Sequence, residues 1–189
     1  MEAFLVSTGI VALAEIGDKT QLLSLLLAAR FRKPWPIIFG IFVATVANHA
    51  LAGAVGTWVT TVVGRDALRW ILGLSFIAMA VWIMIPDKLD DDEDTQERYG
   101  VFVTTVIAFF LAEMGDKTQV ATVALAAQYR SLFAVVMGTT LGMMIANVPA
   151  VLLGDKAAKR LPLKLVHGVA ALIFAALGVL ALFNVGGAM

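Results

Sequence analysis

The chain contains no cysteine, which excludes a disulfide framework, a thiolate metal site and a thiol-based redox motif. Charge is scarce: 15% of the 189 residues are Asp, Glu, Lys or Arg, against about 25% in an average soluble domain. Neither sign dominates, since 14 Lys and Arg balance 14 Asp and Glu. Net charge therefore singles out no polyanion, and no nucleic acid is expected as a partner. Histidine occurs only twice, and neither H-E-x-x-H nor G-x-S-x-G is present, which argues against a zinc or serine hydrolase. The opening Met1-Glu2-Ala3-Phe4 lacks a basic segment, so no cleavable signal peptide is expected. What abounds is apolar: 60% of residues are hydrophobic, and mean hydropathy is +0.90. This profile excludes a disordered chain and most soluble enzymes, and it indicates a multi-pass integral membrane protein whose solvent is the lipid bilayer.

A spanning helix needs about 20 predominantly apolar residues. Six stretches qualify: 4–29, 35–63, 68–85 (closed by Pro86), 101–127, 132–153 and 163–183. The segments 4–32 and 102–130 match at a constant offset of 98. Their strongest part pairs Leu13-Ala14-Glu15-Ile16-Gly17-Asp18-Lys19-Thr20-Gln21 with Leu111-Ala112-Glu113-Met114-Gly115-Asp116-Lys117-Thr118-Gln119, identical at eight of nine positions. Gly40 recurs as Gly138, and Ala47-Asn48 recurs as Ala146-Asn147 one residue later. Three spans per half place the second half upside down relative to the first, a plan common in secondary transporters. The expected fold is an all-α membrane protein of six transmembrane helices arranged as two inverted three-helix repeats. Residues 1–86 form the first repeat, 87–100 an acidic cytosolic linker and 101–189 the second repeat, integrated as one transmembrane domain. Loop Lys and Arg number three on the N-terminal side (Arg65, Arg69, Arg130) and nine on the other (Arg30, Arg32, Lys33, Lys88, Arg98, Lys156, Lys159, Arg160, Lys164). By the positive-inside rule both termini face away from the cytosol, as in a bacterial-type plasma membrane.

Inside the first and fourth apolar runs lie charges. Eleven apolar-rich residues precede Glu15 and eight follow Gln21, which puts the carboxylates near mid-bilayer at about 1.5 Å per residue. An Asp or Lys there costs about 2.5–3.5 kcal/mol on insertion scales, and each Leu, Ile or Val returns only about 0.3–0.6 kcal/mol. Intramembrane ionisable groups are therefore functional candidates. Glu15 and Asp18 at i and i+3 share one helix face, which Gln21 extends. Crossing the two motifs gathers Glu15, Asp18, Glu113 and Asp116, with further oxygens from Thr20, Gln21, Thr118 and Gln119. Lys19 and Lys117 partly neutralise them: four negative and two positive groups leave a formal charge of −2, which a divalent cation balances. All-oxygen ligation suits hard ions such as Ca²⁺, Mn²⁺ or Mg²⁺. The same carboxylates can take protons when the metal leaves, so competition at one site is a physical basis for cation/proton exchange.

The duplicated E-x-G-D-K-T motif, on the first helix of each half, resembles the signature of the Gdt-one family of manganese/calcium cation–proton antiporters (also called uncharacterised protein family zero-zero-one-six). The resemblance extends over both motifs, the six spans and the acidic central loop. It implies export of a divalent cation from the cytosol, Mn²⁺ first and Ca²⁺ as the alternative, with no cofactor. It further implies that Glu15, Asp18, Glu113 and Asp116 bind the ion, with Thr20 and Thr118 completing the motifs.

Plainer readings stand beside these. The acids and lysines can form a buried packing network, with Glu15–Lys19 and Glu113–Lys117 as i, i+4 pairs; such networks seldom return their desolvation cost. Thr20, Gln21, Thr118 and Gln119 act as ligands or as interhelical hydrogen-bonders. Asn48 and Asn147 face the site as outer support or bond neighbouring helices. His49, with Val148 in the equivalent place, is expected to be packed and hydrogen-bonded rather than a proton relay. His167 is expected at the interface, and Met114 to pack. Residues 90–94 read as a solvated loop without the glycine and spaced ligands of an EF-hand. Gly40, Gly73, Gly138, Gly142, Gly168 and Gly178 suit close helix contacts. An intramembrane metal-dependent enzyme, an ion channel or a non-transporting scaffold are the competing classes; the symmetry of the acids speaks against an enzyme, which needs unequal roles. Oligomeric state is not legible.

Overall fold

In a computed structural model of the chain, residues 1–85, 100–153 and 163–183 are described. The acidic run 90–94 and the basic loop residues Lys88, Arg98, Lys156, Lys159 and Arg160 lie outside them. In hydrocarbon every backbone N–H and C=O must be satisfied within the segment, so long apolar runs become helices. The described residues form eight: α1 (Glu2–Glu15), α2 (Lys19–Phe31), α3 (Pro34–Val62), α4 (Arg65–Trp82), α5 (Val101–Glu113), α6 (Lys117–Tyr129), α7 (Leu132–Leu153) and α8 (Leu163–Leu182). No strand occurs among the described residues. Three helices, Pro34–Val62, Leu132–Leu153 and Lys164–Leu182, are long and apolar enough to cross a membrane.

The first and fourth apolar runs differ from expectation. Each is broken at its charged centre. α1 ends at Glu15, Ile16 is extended, Gly17 has φ 86°, and extended Asp18 begins α2. In the second half, α5 ends at Glu113, Met114 is extended, Gly115 has φ 76°, and extended Asp116 begins α6. The cause is local. Positive φ is cheap only for glycine, and a negative side chain at a helix N-terminus sits favourably against the helix dipole. The pieces are 14, 13, 13 and 13 residues long. At about 1.5 Å per residue each reaches roughly 20 Å, short of the roughly 30 Å hydrocarbon core. The proposed common helix face for Glu15 and Asp18 therefore does not exist, nor does that for Glu113 and Asp116. Both broken runs end alike, with left-handed Arg32 and Arg130 donating backbone N–H bonds to Ala28 and Ala126 at 3.0 Å.

Packing is exchanged between the halves. α1 lies along α7, α5 along α3, and α4 along α8. Small residues set these approaches: a Cβ on Gly142 would stand 2.6 Å from the Thr8 carbonyl oxygen, and one on Gly40 would stand 2.7 Å from the Thr105 Cβ. Gly73 and Gly178 face each other across α4 and α8, beside the Phe76–Phe174 ring pair at 6.2 Å. Gly168 is the exception to the packing expectation, since open space surrounds it. Two apolar cores lie among the described residues. One joins Ile10, Leu68, Leu72, Phe76, Leu125 and Phe174; the other joins Val11, Leu23, Ile37, Ile41, Phe109 and Met143.

Candidate metal centre at the two helix breaks

Because each break falls inside an acidic motif, α1 and α5 deliver a glutamate at their last residue, and α2 and α6 start at an aspartate. Neither aspartate side chain caps its own helix; each meets a lysine of the other motif instead. Carboxylate oxygens of Glu15, Glu113 and Asp116 lie within 4.8 Å of one another, and all three residues are buried. Glu15 and Glu113 are each 0% exposed, and one oxygen of each, Oε1, has no hydrogen-bond partner among the described residues. The other oxygen of each is held by the motif threonine five residues on. Thr20 donates its hydroxyl to Glu15 Oε2, and Thr118 donates to Glu113 Oε2 at 2.9 Å. Asp18, also buried, pairs instead with Lys117, Nζ to Oδ1 at 3.3 Å.

The lysines correct the expected i, i+4 pairing. Lys19 reaches Asp116 at 3.3 Å and Lys117 reaches Asp18 at 3.3 Å. Each lysine thus bridges to the other half. The break explains this: once the chain leaves the helix after Glu15, residue 19 no longer sits one turn above residue 15. The pairs are chemically alike but differently wetted. The Lys19 side chain is 23% exposed and that of Lys117 3%.

Gln21 and Gln119 secure the breaks. Each accepts, through Oε1, the backbone N–H of the positive-φ glycine: Gly17 to Gln21 at 2.9 Å, and Gly115 to Gln119 at 2.7 Å. Their amide N–H groups tie the breaks to the long helices. Gln21 donates to the Ala146 carbonyl at 3.1 Å, and Gln119 donates to Asn48 Oδ1 at 3.2 Å. Asn48 in turn donates to the Phe110 carbonyl at 3.0 Å, and Asn147 accepts from Ser24 at 2.7 Å. Both asparagines therefore bond neighbouring helices. Ser24 and the Phe110 and Ala146 carbonyls escaped the sequence reading, because no side-chain pattern marks a carbonyl acceptor.

His49 departs from expectation. His49 on α3 is 0% exposed with Nε2 at 3.8 Å from Glu113 Oε2, and neither ring nitrogen has a hydrogen-bond partner among the described residues. It is packed but not satisfied. His167 on α8 places Nε2 at 2.6 Å from the Ile16 carbonyl oxygen, covering the first break. Met114 at the second break is 57% exposed, so it is only partly covered by the chain.

Known proteins similar to this chain point to one family. A family model described as "Divalent cation/proton antiporter GDT1" matches residues 3–91 and 101–187. A Vibrio cholerae serotype O1 protein named "Putative manganese exporter" is 56% identical over 175 residues, covering 92% of this chain and 87% of that one. A Synechocystis protein named "GDT1-like protein sll0615" is 29% identical over 193 residues, covering 92% and 93% respectively. The Arabidopsis thaliana "GDT1-like protein 3" is 26% identical over 200 residues, covering 92% of this chain and 68% of its own. No solved structure matches.

Proposed function

The chain belongs to the GDT1 family of divalent cation/proton antiporters, and from that premise we propose that it exports Mn²⁺ from the cytosol in exchange for protons. The carrying observation is the convergence of three buried carboxylates from two motif copies within 4.8 Å. Ligand oxygens sit about 2.0–2.6 Å from a hard divalent ion, so oxygens that close to one another fit a single ion. The Glu15 and Glu113 oxygens that lack partners are the ones an ion satisfies. The name of the Vibrio cholerae relative favours Mn²⁺; Ca²⁺/proton exchange is the second reading, favoured by the oxygen-rich donor set.

In this account Glu15, Glu113 and Asp116 hold the ion. Asp18 joins when Lys117 moves off it. Thr20 and Thr118 fix carboxylate rotamers, and Gln21 and Gln119 hold the breaks open. Lys19 and Lys117 partly neutralise the carboxylates while the site is between cargoes. The six spans act as two inverted repeats, so the site lies at their meeting point near mid-membrane, where broken helices are tolerated because they line protein rather than lipid. Protonation of the carboxylates on the outer side releases the metal, and both termini face that side.

The test is uptake into proteoliposomes under an imposed pH gradient, with Mn²⁺ and Ca²⁺ measured separately. Wild-type protein moves Mn²⁺ against protons. Glu15→Gln and Asp116→Asn keep the fold but fall to the level of empty vesicles. Wild-type rates from either variant overturn the assignment.

A further inference from the structure

We propose that His49 is a ligand of the transported ion, adding one imidazole nitrogen to the oxygen set and tilting the site toward Mn²⁺ over Ca²⁺. The inference rests on the carboxylate site proposed above and deepens it. His49 sits on α3, on the same buried face as Thr45 and Asn48. Asn48 anchors that face to the α5 and α6 break through Phe110 and Gln119, which aims the neighbouring ring at Glu113. The separation of 3.8 Å between His49 Nε2 and Glu113 Oε2 is too long for a hydrogen bond. It is within the span of two atoms ligating one ion at about 2.0–2.6 Å each.

Three facts point to a ligand rather than a packed ring. The residue is 0% exposed. Both of its nitrogens lack a partner among the described residues, although a buried imidazole ordinarily finds at least one. Glu113, whose Oε2 faces the ring, belongs with Glu15 and Asp116 to the carboxylate group, and Glu15 and Glu113 each carry an unpartnered oxygen; His49 stands beside that group rather than within its 4.8 Å spacing. The repeat supplies a fourth. The place equivalent to His49 is Val148, so the nitrogen enters from one half only, which gives the site a donor that symmetry does not demand. Calcium draws its ligands from oxygen, whereas imidazole nitrogen suits first-row transition metals. A single nitrogen among carboxylates therefore discriminates against Ca²⁺ without excluding Mn²⁺.

The experiment adds Mn²⁺ alone to the purified full-length protein and records electron spin echo envelope modulation from coordinated ¹⁴N. The chain has two histidines, so assignment needs only two variants. Wild type and His167→Ala show imidazole nitrogen coupled to bound Mn²⁺. His49→Gln, which keeps the polar bulk but removes the ring, loses the coupling. Its Mn²⁺/Ca²⁺ affinity ratio falls at least about tenfold, the scale on which even outer partners of metal ligands act. Bound Mn²⁺ without nitrogen coupling, or coupling that survives His49→Gln, overturns this inference and leaves the carboxylate site standing. Absence of bound Mn²⁺ in the wild type overturns the site itself and the inference with it.

Discussion

Lys117 and Lys19 make the same contact in two settings, and the difference sets what each is worth. Lys117 is 2% exposed and faces a buried Asp18; removing one partner of a buried pair strands a charge and costs about 3–5 kcal/mol. The Lys19 side chain keeps 23% of its exposure, so its loss strands a less completely buried pair. Lys117→Met should therefore lower thermal stability in detergent far more than Lys19→Met, and Asp18→Asn combined with Lys117→Met should recover much of the loss. Equal losses for the two lysines would contradict this. At this scale the sequence marked the acids as candidates, because a charge in lipid is conspicuous, and the threonines and glutamines through their place in the doubled motif. It misdirected the lysines, since i, i+4 pairing presupposes an unbroken helix. The cue was present: Gly17-Asp18 and Gly115-Asp116 each place a residue tolerant of positive φ before a residue that starts helices.

The breaks are the elements on which the site depends. Gly17 and Gly115 have φ of 86° and 76°, a region that costs an L-residue about 1–2 kcal/mol. Gly115 faces open space, so Gly115→Ala meets no clash and isolates the backbone term. It should destabilise by that amount and reduce transport by displacing Glu113 relative to Asp116. Gly168 lies inside α8 with nothing near its missing Cβ; Gly168→Ala should be neutral or stabilising by up to about 1 kcal/mol through helix propensity. Gly142→Ala should destabilise, because its Cβ would press on the Thr8 carbonyl oxygen at 2.6 Å. Melting temperatures of the three variants in one detergent check the ordering, and a Gly115→Ala protein as stable as wild type would refute the role of the break. Hydropathy cannot reveal such a break. The half-helices α1 and α5 are mostly apolar up to their terminal glutamates, and the interruption spans only three residues in each copy, 16–18 and 114–116.

At the scale of the molecule, the halves recognised by their repeat do not pack as separate units. α1 lies on α7 and α5 lies on α3, so each half buries its broken helix against the long helix of the other. Residues 1–85 expressed alone should fail to accumulate in the membrane, and co-expression with 100–189 should restore both the protein and transport. A first half that accumulates and is protease-resistant by itself would contradict an interlocked fold. Duplication was legible from the constant offset between the motifs. The exchange of partners was not, because apolar helix faces of similar composition do not specify their neighbour. It is this exchange that carries Glu15 to Glu113 and Asp116, residues 98 and 101 positions away, and so builds one site from two motifs. Crystals soaked in Mn²⁺ and measured at the manganese absorption edge test this most directly. The account predicts an anomalous peak about 2.0–2.6 Å from carboxylate oxygens of Glu15, Glu113 and Asp116 together. A manganese peak bound by only one motif, or elsewhere in a protein that transports the ion, would contradict it.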